Sequence, residues 1–139
     1  MRNWILLTCL IALTALASPA IAQPSGTHGD PKKGITGLGQ TAPDTIDVSI
    51  DANWSVYEFE REAIDYLQIN GYDGNVRAIV GYVDGVFWVL PAGGDAVSTP
   101  QRPKPVPADA TRKIVYRSPE IELAVYENSN GRLWAVRKP

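Results

Sequence analysis

Ser55-Val56-Tyr57-Glu58-Phe59-Glu60-Arg61-Glu62-Ala63-Ile64-Asp65-Tyr66-Leu67-Gln68 is the stretch on which the fold class turns. As a helix, Ser55 and Glu58 stand at capping-box spacing. Val56, Phe59, Ala63, Ile64 and Leu67 then share one stripe, and Asn70-Gly71 supplies a stop. As strands, Val56 to Glu60 alternates cleanly, the chain turns near Arg61 to Ala63, and Ile64 to Ile69 runs back beside it. Tyr, Phe, Val and Ile suit a pleated surface, whereas Glu, Arg, Ala and Leu suit a helix. The strand reading is preferred, and one helix over 55–68 in an α+β fold stays as its alternative.

The flanking sequence reads as strands with less ambiguity. Ile46, Val48 and Ile50 alternate with Asp47, Ser49 and Asp51, the pattern of a half-buried strand. Val76, Ala78, Val80 and Tyr82 alternate likewise, and Asp84-Gly85 tolerates the positive φ angles of a tight hairpin turn. Val86-Phe87-Trp88-Val89-Leu90 follows as a continuous apolar run closed by Pro91, readable as a strand buried on both faces. Farther on, Ile121, Leu123 and Val125 alternate, Asn128 to Gly131 turns the chain, and Leu133 to Arg137 returns it as a hairpin with a longer loop.

Two stretches interrupt this pattern. Pro91 to Thr111 carries prolines at 91, 100, 103, 105 and 107 and reads as a long surface connection, extended around Lys104 to Pro107. The residues after it are too few to build a core alone, so they must pack on residues 44–90. Gln23 to Pro43 holds five glycines and three prolines, with Ile35 and Leu38 as its only sizeable apolar residues. Such a segment buries too little surface to offset its ordering entropy and reads as a flexible tether. The expected fold is therefore a single small antiparallel β domain over 44–139, built as a sheet, a sandwich or a partly open barrel.

A faint echo runs at an offset of 57 residues. Ile64-Asp65 matches Ile121-Glu122, Asp73-Gly74 matches Asn130-Gly131, and Val76, Ala78 and Ile79 match Leu133, Ala135 and Val136. Any two hairpins share alternating apolar residues and an Asx-Gly turn, so the echo carries no weight as a duplication.

The N-terminus supplies the one address. Arg2 precedes an apolar run from Ile5 to Ala17, and Ser18-Pro19-Ala20-Ile21-Ala22 ends in the small residues a signal peptidase reads. The run is 13 residues, against the roughly 20 that a spanning helix needs. Cleavage after Ala22 and a periplasmic or secreted destination are the expectation, with no integral membrane span in the mature chain. Leu6-Leu7-Thr8-Cys9 only loosely resembles a lipidation box, because most of the apolar run follows the cysteine instead of preceding it. Cleavage would leave a cysteine-free mature chain with 12 basic and 15 acidic residues. No basic run exceeds two residues, which argues against nucleic acid and anionic membrane surfaces as partners.

Candidate chemistry is sparse. His28, the only histidine, lies in the tether, where nothing could hold it as a triad base. One histidine and scattered carboxylates are a poor zinc set. Asp73-Gly74-Asn75 and Asp84-Gly85 offer too few oxygens for calcium and read as turns. Gly34-x-x-Gly37-x-Gly39 lacks the strand–helix context of a phosphate loop. No metal and no cofactor are expected. Glu58, Glu60 and Glu62 alternate as an acidic face; paired carboxylates can hydrolyse glycosides, but a domain this small rarely builds the cleft, and a solvated face is the plainer reading.

Aromatic residues remain. Phe87 and Trp88 are adjacent in a strand and must face opposite sides, and Tyr66, Tyr82, Tyr126 and Trp134 could extend a patch around whichever is exposed. The plainer reading places these rings in the core. The leading functional expectation is a non-enzymatic module that binds another envelope or secreted protein, as an envelope-complex accessory or an inhibitor or immunity protein. A carbohydrate- or peptidoglycan-binding module, with Trp88 or Trp134 stacked on sugar, is the alternative, and a small carboxylate hydrolase ranks third.

Overall fold

The computed structural model describes residues 33–139. The expected signal segment, the cleavage expected after Ala22 and residues 23–32 of the expected tether lie outside the described residues. The described chain is mainly β and forms two four-stranded sheets packed as a sandwich, not a closed barrel. The first is the meander β1 (Trp54–Arg61), β2 (Ile64–Gly71), β3 (Val76–Val83) and β4 (Val86–Val89). The second contains β5 (Ala96–Ser98), β6 (Thr111–Arg117), β7 (Glu122–Asn128) and β8 (Gly131–Arg137), in the order β5-β8-β7-β6. All neighbours are antiparallel except β5, which runs parallel to β8. No described helix is long and apolar enough to cross a membrane.

Strands, not a helix, form over 55–68. Glu60 pairs with Asp65 and Arg61 with Ile64, so the turn is Glu62-Ala63 alone. Both turn residues take positive φ, 54° and 61°, without a glycine. That is the left-handed geometry a two-residue hairpin needs, held by side chains that ordinarily disfavour it by about 1 kcal/mol each. Asp84-Gly85 makes the corresponding β3–β4 turn with φ of 48° and 80°. The β7–β8 hairpin is tighter than expected: Asn128 pairs with Gly131, leaving only Ser129-Asn130 in the turn.

One core lies between the sheets. Trp54, Val56, Leu67, Ile69, Ala78, Val80 and Phe87 face Val97, Val115, Tyr116, Leu123, Val125, Trp134 and Val136, with Ile121 at one end. Trp54 and Trp134 meet edge to face across it, with ring centroids 4.8 Å apart. A bulge between Ile114 and Tyr116 turns two successive residues, Val115 and Tyr116, into the core. The register also disposes of the sequence echo. Leu67 and Ile69 face the core, but the 57-residue offset carries them to Ala124 and Tyr126, whereas Leu123 and Val125 are the core residues of β7. Side chains alternate with a period of two, so an echo out of phase by one residue matches inside to outside.

Several expectations are corrected. Residues 46–50 form no strand: Ile46 and Ile50 are exposed and only Val48 packs on the core. Instead they strap the two sheets together, as Val48 N donates to Val56 O of β1 at 2.8 Å and Ile50 N to Val115 O of β6 at 2.8 Å. β4 is an edge strand, not one buried on both faces, and of its residues only Phe87 is fully buried. Its free edge is capped by the Gln101 amide, which accepts from Phe87 N and donates to Gly85 O. The Pro-rich connection contains strand β5, and Asp95 within it accepts from Trp134 Nε1 at 2.9 Å and from Arg132 Nη1 at 3.1 Å.

The tether expectation is corrected over residues 33–43, which cover the outer face and edge of the first sheet. Gly34 N donates to Glu58 O and Gly34 O accepts from Glu60 N, so the free edge of β1 is paired. Gln68 and Asn70 are fully buried on that face. Gly39 N donates to Gln68 Oε1, Gln68 Nε2 donates to Gln40 O, and Asn70 Nδ2 donates to Thr41 O. Composition misleads here because the cover is held chiefly by main-chain hydrogen bonds to two buried amides, with Pro43 its one buried apolar side chain.

Candidate functional site

Strand register sorts the six aromatic candidates into three groups. Phe87 and Trp134 are buried in the core, and Tyr82 packs against it with its ring 4.9 Å from that of Phe87. Tyr126 is half-buried on β7 and pairs with Arg112 and Leu133 in the second sheet. Only Tyr66 and Trp88 come together at a surface. They lie on the outer face of the first sheet, with centroids 6.4 Å apart and planes at 85°.

Gly81 makes this arrangement possible. It stands between Tyr66 and Trp88 in the register, and a Cβ built on it would fall 2.3 Å from the indole. The indole therefore lies down on the bare β3 backbone, and Tyr66 rises beside it as a wall. Val83 and Val86 flank this corner at 36% and 49% exposure. A half-exposed tryptophan beside a tyrosine is the residue pair that interfaces favour, and the two valines extend its apolar surface. The sequence signal for it was the pair of adjacent rings in β4, but which ring faced outward depended on the sheet packing.

The acidic candidates separate as well. Glu58 and Glu60 point to the sandwich side of β1, whereas Glu62 is in the β1–β2 turn. Glu58 lines a cleft of about 500 Å³ between the first sheet and the β6–β7 connection, together with Asp65, Tyr116, Glu120 and Lys33. Four of its polar groups form two pairs. Tyr116 donates its hydroxyl to Glu58 Oε1, and Lys33 Nζ is 2.8 Å from Asp65 Oδ1. Burial, then the bond to Glu58, pushes the Tyr116 phenol well above its usual value. Burial works against the Lys33 ammonium, but its hydrogen bond to Asp65 and the charges of Asp65, Glu58 and Glu60 outweigh it and raise its pKa.

Sequence reading missed a third cluster. Glu122 on β7 is buried and takes Arg112 at 2.5 Å, Arg117 at 2.5 Å and Arg137 at 2.7 Å. The Arg117 hydrogen bonds hold its carboxyl below the usual carboxylate value against the opposing effect of burial, and Arg137 adds to the lowering. These residues are 5, 10 and 15 positions from Glu122, so nothing but strand register signals the cluster.

The two shifts have opposite consequences for pH. The lowered Glu122 value gives stability that is present above the unfolded value of 4.5 and is lost as pH falls through the folded one. The raised Tyr116 value gives stability present below 10.0 and lost as pH rises through the folded value. Urea midpoints measured across pH are expected to fall at both ends. Glu122→Gln should flatten the acid limb alone and Tyr116→Phe the alkaline limb alone. An unaltered acid limb in Glu122→Gln would assign that limb to other carboxylates.

Among the described residues, no three or more His, Cys, Asp or Glu side chains are grouped as metal ligands. Comparison with known proteins adds no identity. No family model, curated protein or solved structure matches the chain.

Proposed function

We propose that the chain is an exported module that binds another protein through the Trp88–Tyr66 corner on the outer face of its first sheet. The observation that carries this reading is the indole laid flat on Gly81, walled by Tyr66 and rimmed by Val83 and Val86. Rigid aromatic anchors lose little conformational freedom on binding, and they dominate the energetics of most interfaces. Export rests on the charged start, short apolar run and Ala20-Ile21-Ala22 ending of the sequence.

Crosslinking in an envelope or secreted fraction, followed by identification of the captured protein, tests this reading. Trp88→Ala is expected to abolish capture, since losing an interface tryptophan costs about 2 kcal/mol or more, some 30-fold in affinity. Trp88 is only half-buried on an edge strand, so the fold is expected to survive. Recovery of the native chain only as a free monomer, or undiminished capture by Trp88→Ala, rejects the corner as the binding site.

The flat indole also favours a second reading, stacking of a saccharide ring from a cell-wall polymer. Trp134 cannot serve that role, being sealed in the core. Tryptophan fluorescence titrated with cell-wall fragments separates the two readings, because a saccharide is expected to shift the emission of the native chain but not of Trp88→Ala.

A further inference from the structure

We propose that the outer face of the second sheet carries an oxyanion site, in which Arg117 and Arg137, templated by Glu122, take a phosphate dianion. Glu122 pairs directly with Arg117 of β6 on one side and with Arg137 of β8 on the other. Its Oε2 accepts from both Nε and Nη2 of Arg117, at 3.1 and 2.5 Å. Its Oε1 accepts from Arg137 Nε at 2.9 Å, with Arg137 Nη2 at 2.7 Å. Arg112 Nη2 reaches the same oxygen at 2.5 Å.

A guanidinium has two bidentate edges. Glu122 occupies the Nε–Nη2 edge of both Arg117 and Arg137, and the Nη1–Nη2 edge of each is left over. The two side chains are 55% and 62% exposed. One guanidinium would neutralise one carboxylate, whereas three leave an excess of two positive charges. The carboxylate thus holds two forks in a fixed relation, so that a second anion meets donors already ordered. A tetrahedral dianion matches both the excess charge and the two forks.

Charge segregation along the chain adds an independent argument. Residues 44–90 contain nine acids and two bases, whereas residues 111–139 contain six bases and three acids. An anion repelled by the first sheet is steered to the second. Phosphate could arrive free in solution or as a phosphomonoester headgroup, and the chemistry at the forks is the same.

The test is a titration of the native protein with inorganic phosphate at constant ionic strength, following arginine Nε–H resonances by NMR. Saturable shifts of Arg117 and Arg137, with Arg61 and Arg102 unmoved, are the expected result. Arg137→Gln is expected to weaken binding about tenfold, as loss of one charge-assisted fork, and Arg137→Lys to restore it only in part. Arg117→Gln is the second variant should Arg137→Gln lose its native amide spectrum. Vesicles containing phosphatidic acid, compared with phosphatidylcholine alone, assign the source: capture that inorganic phosphate reverses points to a headgroup, and phosphate binding without capture to the free anion. Shifts that fail to saturate or spread evenly over all arginines, with no capture by either vesicle, overturn the proposal.

Discussion

Trp134→Ala is expected to cost about 3–5 kcal/mol, enough to unfold much of a population whose total stability is of order 5–15 kcal/mol. Trp134 is fully buried at the centre of the second sheet and meets Trp54 edge to face at 4.8 Å. Truncation opens a cavity between two rigid sheets that cannot both move in to fill it. It also removes the Nε1–H donor from Asp95, through which the connection between the sheets is fastened to the core. Arg132, which donates to the same Asp95 oxygen and stacks over Trp54 at 4.8 Å, loses its support as well. Trp134→Phe separates the contributions, because it keeps most of the apolar surface and drops the hydrogen bond. Urea denaturation should show Trp134→Phe intermediate between the native chain and Trp134→Ala. A loss below about 1 kcal/mol for Trp134→Ala would mean that the two sheets do not share this core.

The second large effect concerns the segment whose composition suggests it is dispensable. A chain beginning at Asp44 is expected to lose about 2–4 kcal/mol relative to one that keeps residues 33–43. Phe59, fully buried, loses the backbone of Gly34, which packs against its ring closely enough that an added Cβ would sit 2.9 Å away. Gln68 and Asn70 lose the main-chain partners supplied by Gly39, Gln40 and Thr41. The edge of β1 is reopened where Gly34 had paired with it, so the truncated chain should also aggregate more readily. The denaturation midpoint and light scattering during refolding measure the two effects. An unchanged midpoint would restore the tether reading to residues 33–43.

The hairpins were legible because alternation and Asx-Gly turns are local signals. Val76 to Tyr82 and Asp84-Gly85 sit where the pattern placed them, and so does the β7–β8 hairpin apart from its shorter turn. Glu62-Ala63 was harder, since the turn contains neither glycine nor asparagine and its positive φ values are imposed by the pairing of β1 with β2. The Val86–Leu90 run reads as doubly buried because apolarity records only that a strand contacts something, not whether it ends a sheet. Of the two candidate tryptophans, Trp134 is sealed in the core and Trp88 is half-exposed on the outer face, and no local feature distinguishes them.

By itself the sequence located the strands of the first sheet and the β7–β8 hairpin, though not β5 or β6. It also determined the opposition of Phe87 to Trp88 and the scarcity of nucleophiles and soft metal ligands, because all of these depend on residue type and on a period of two. Only the tertiary structure decided which face of each strand is inside, that Gly34 to Thr41 covers the first sheet, and that Glu122 gathers Arg112, Arg117 and Arg137. Each of those depends on register and sheet order, which bring together residues far apart in the chain. A shift of one residue would leave every local pattern intact while exchanging inside for outside.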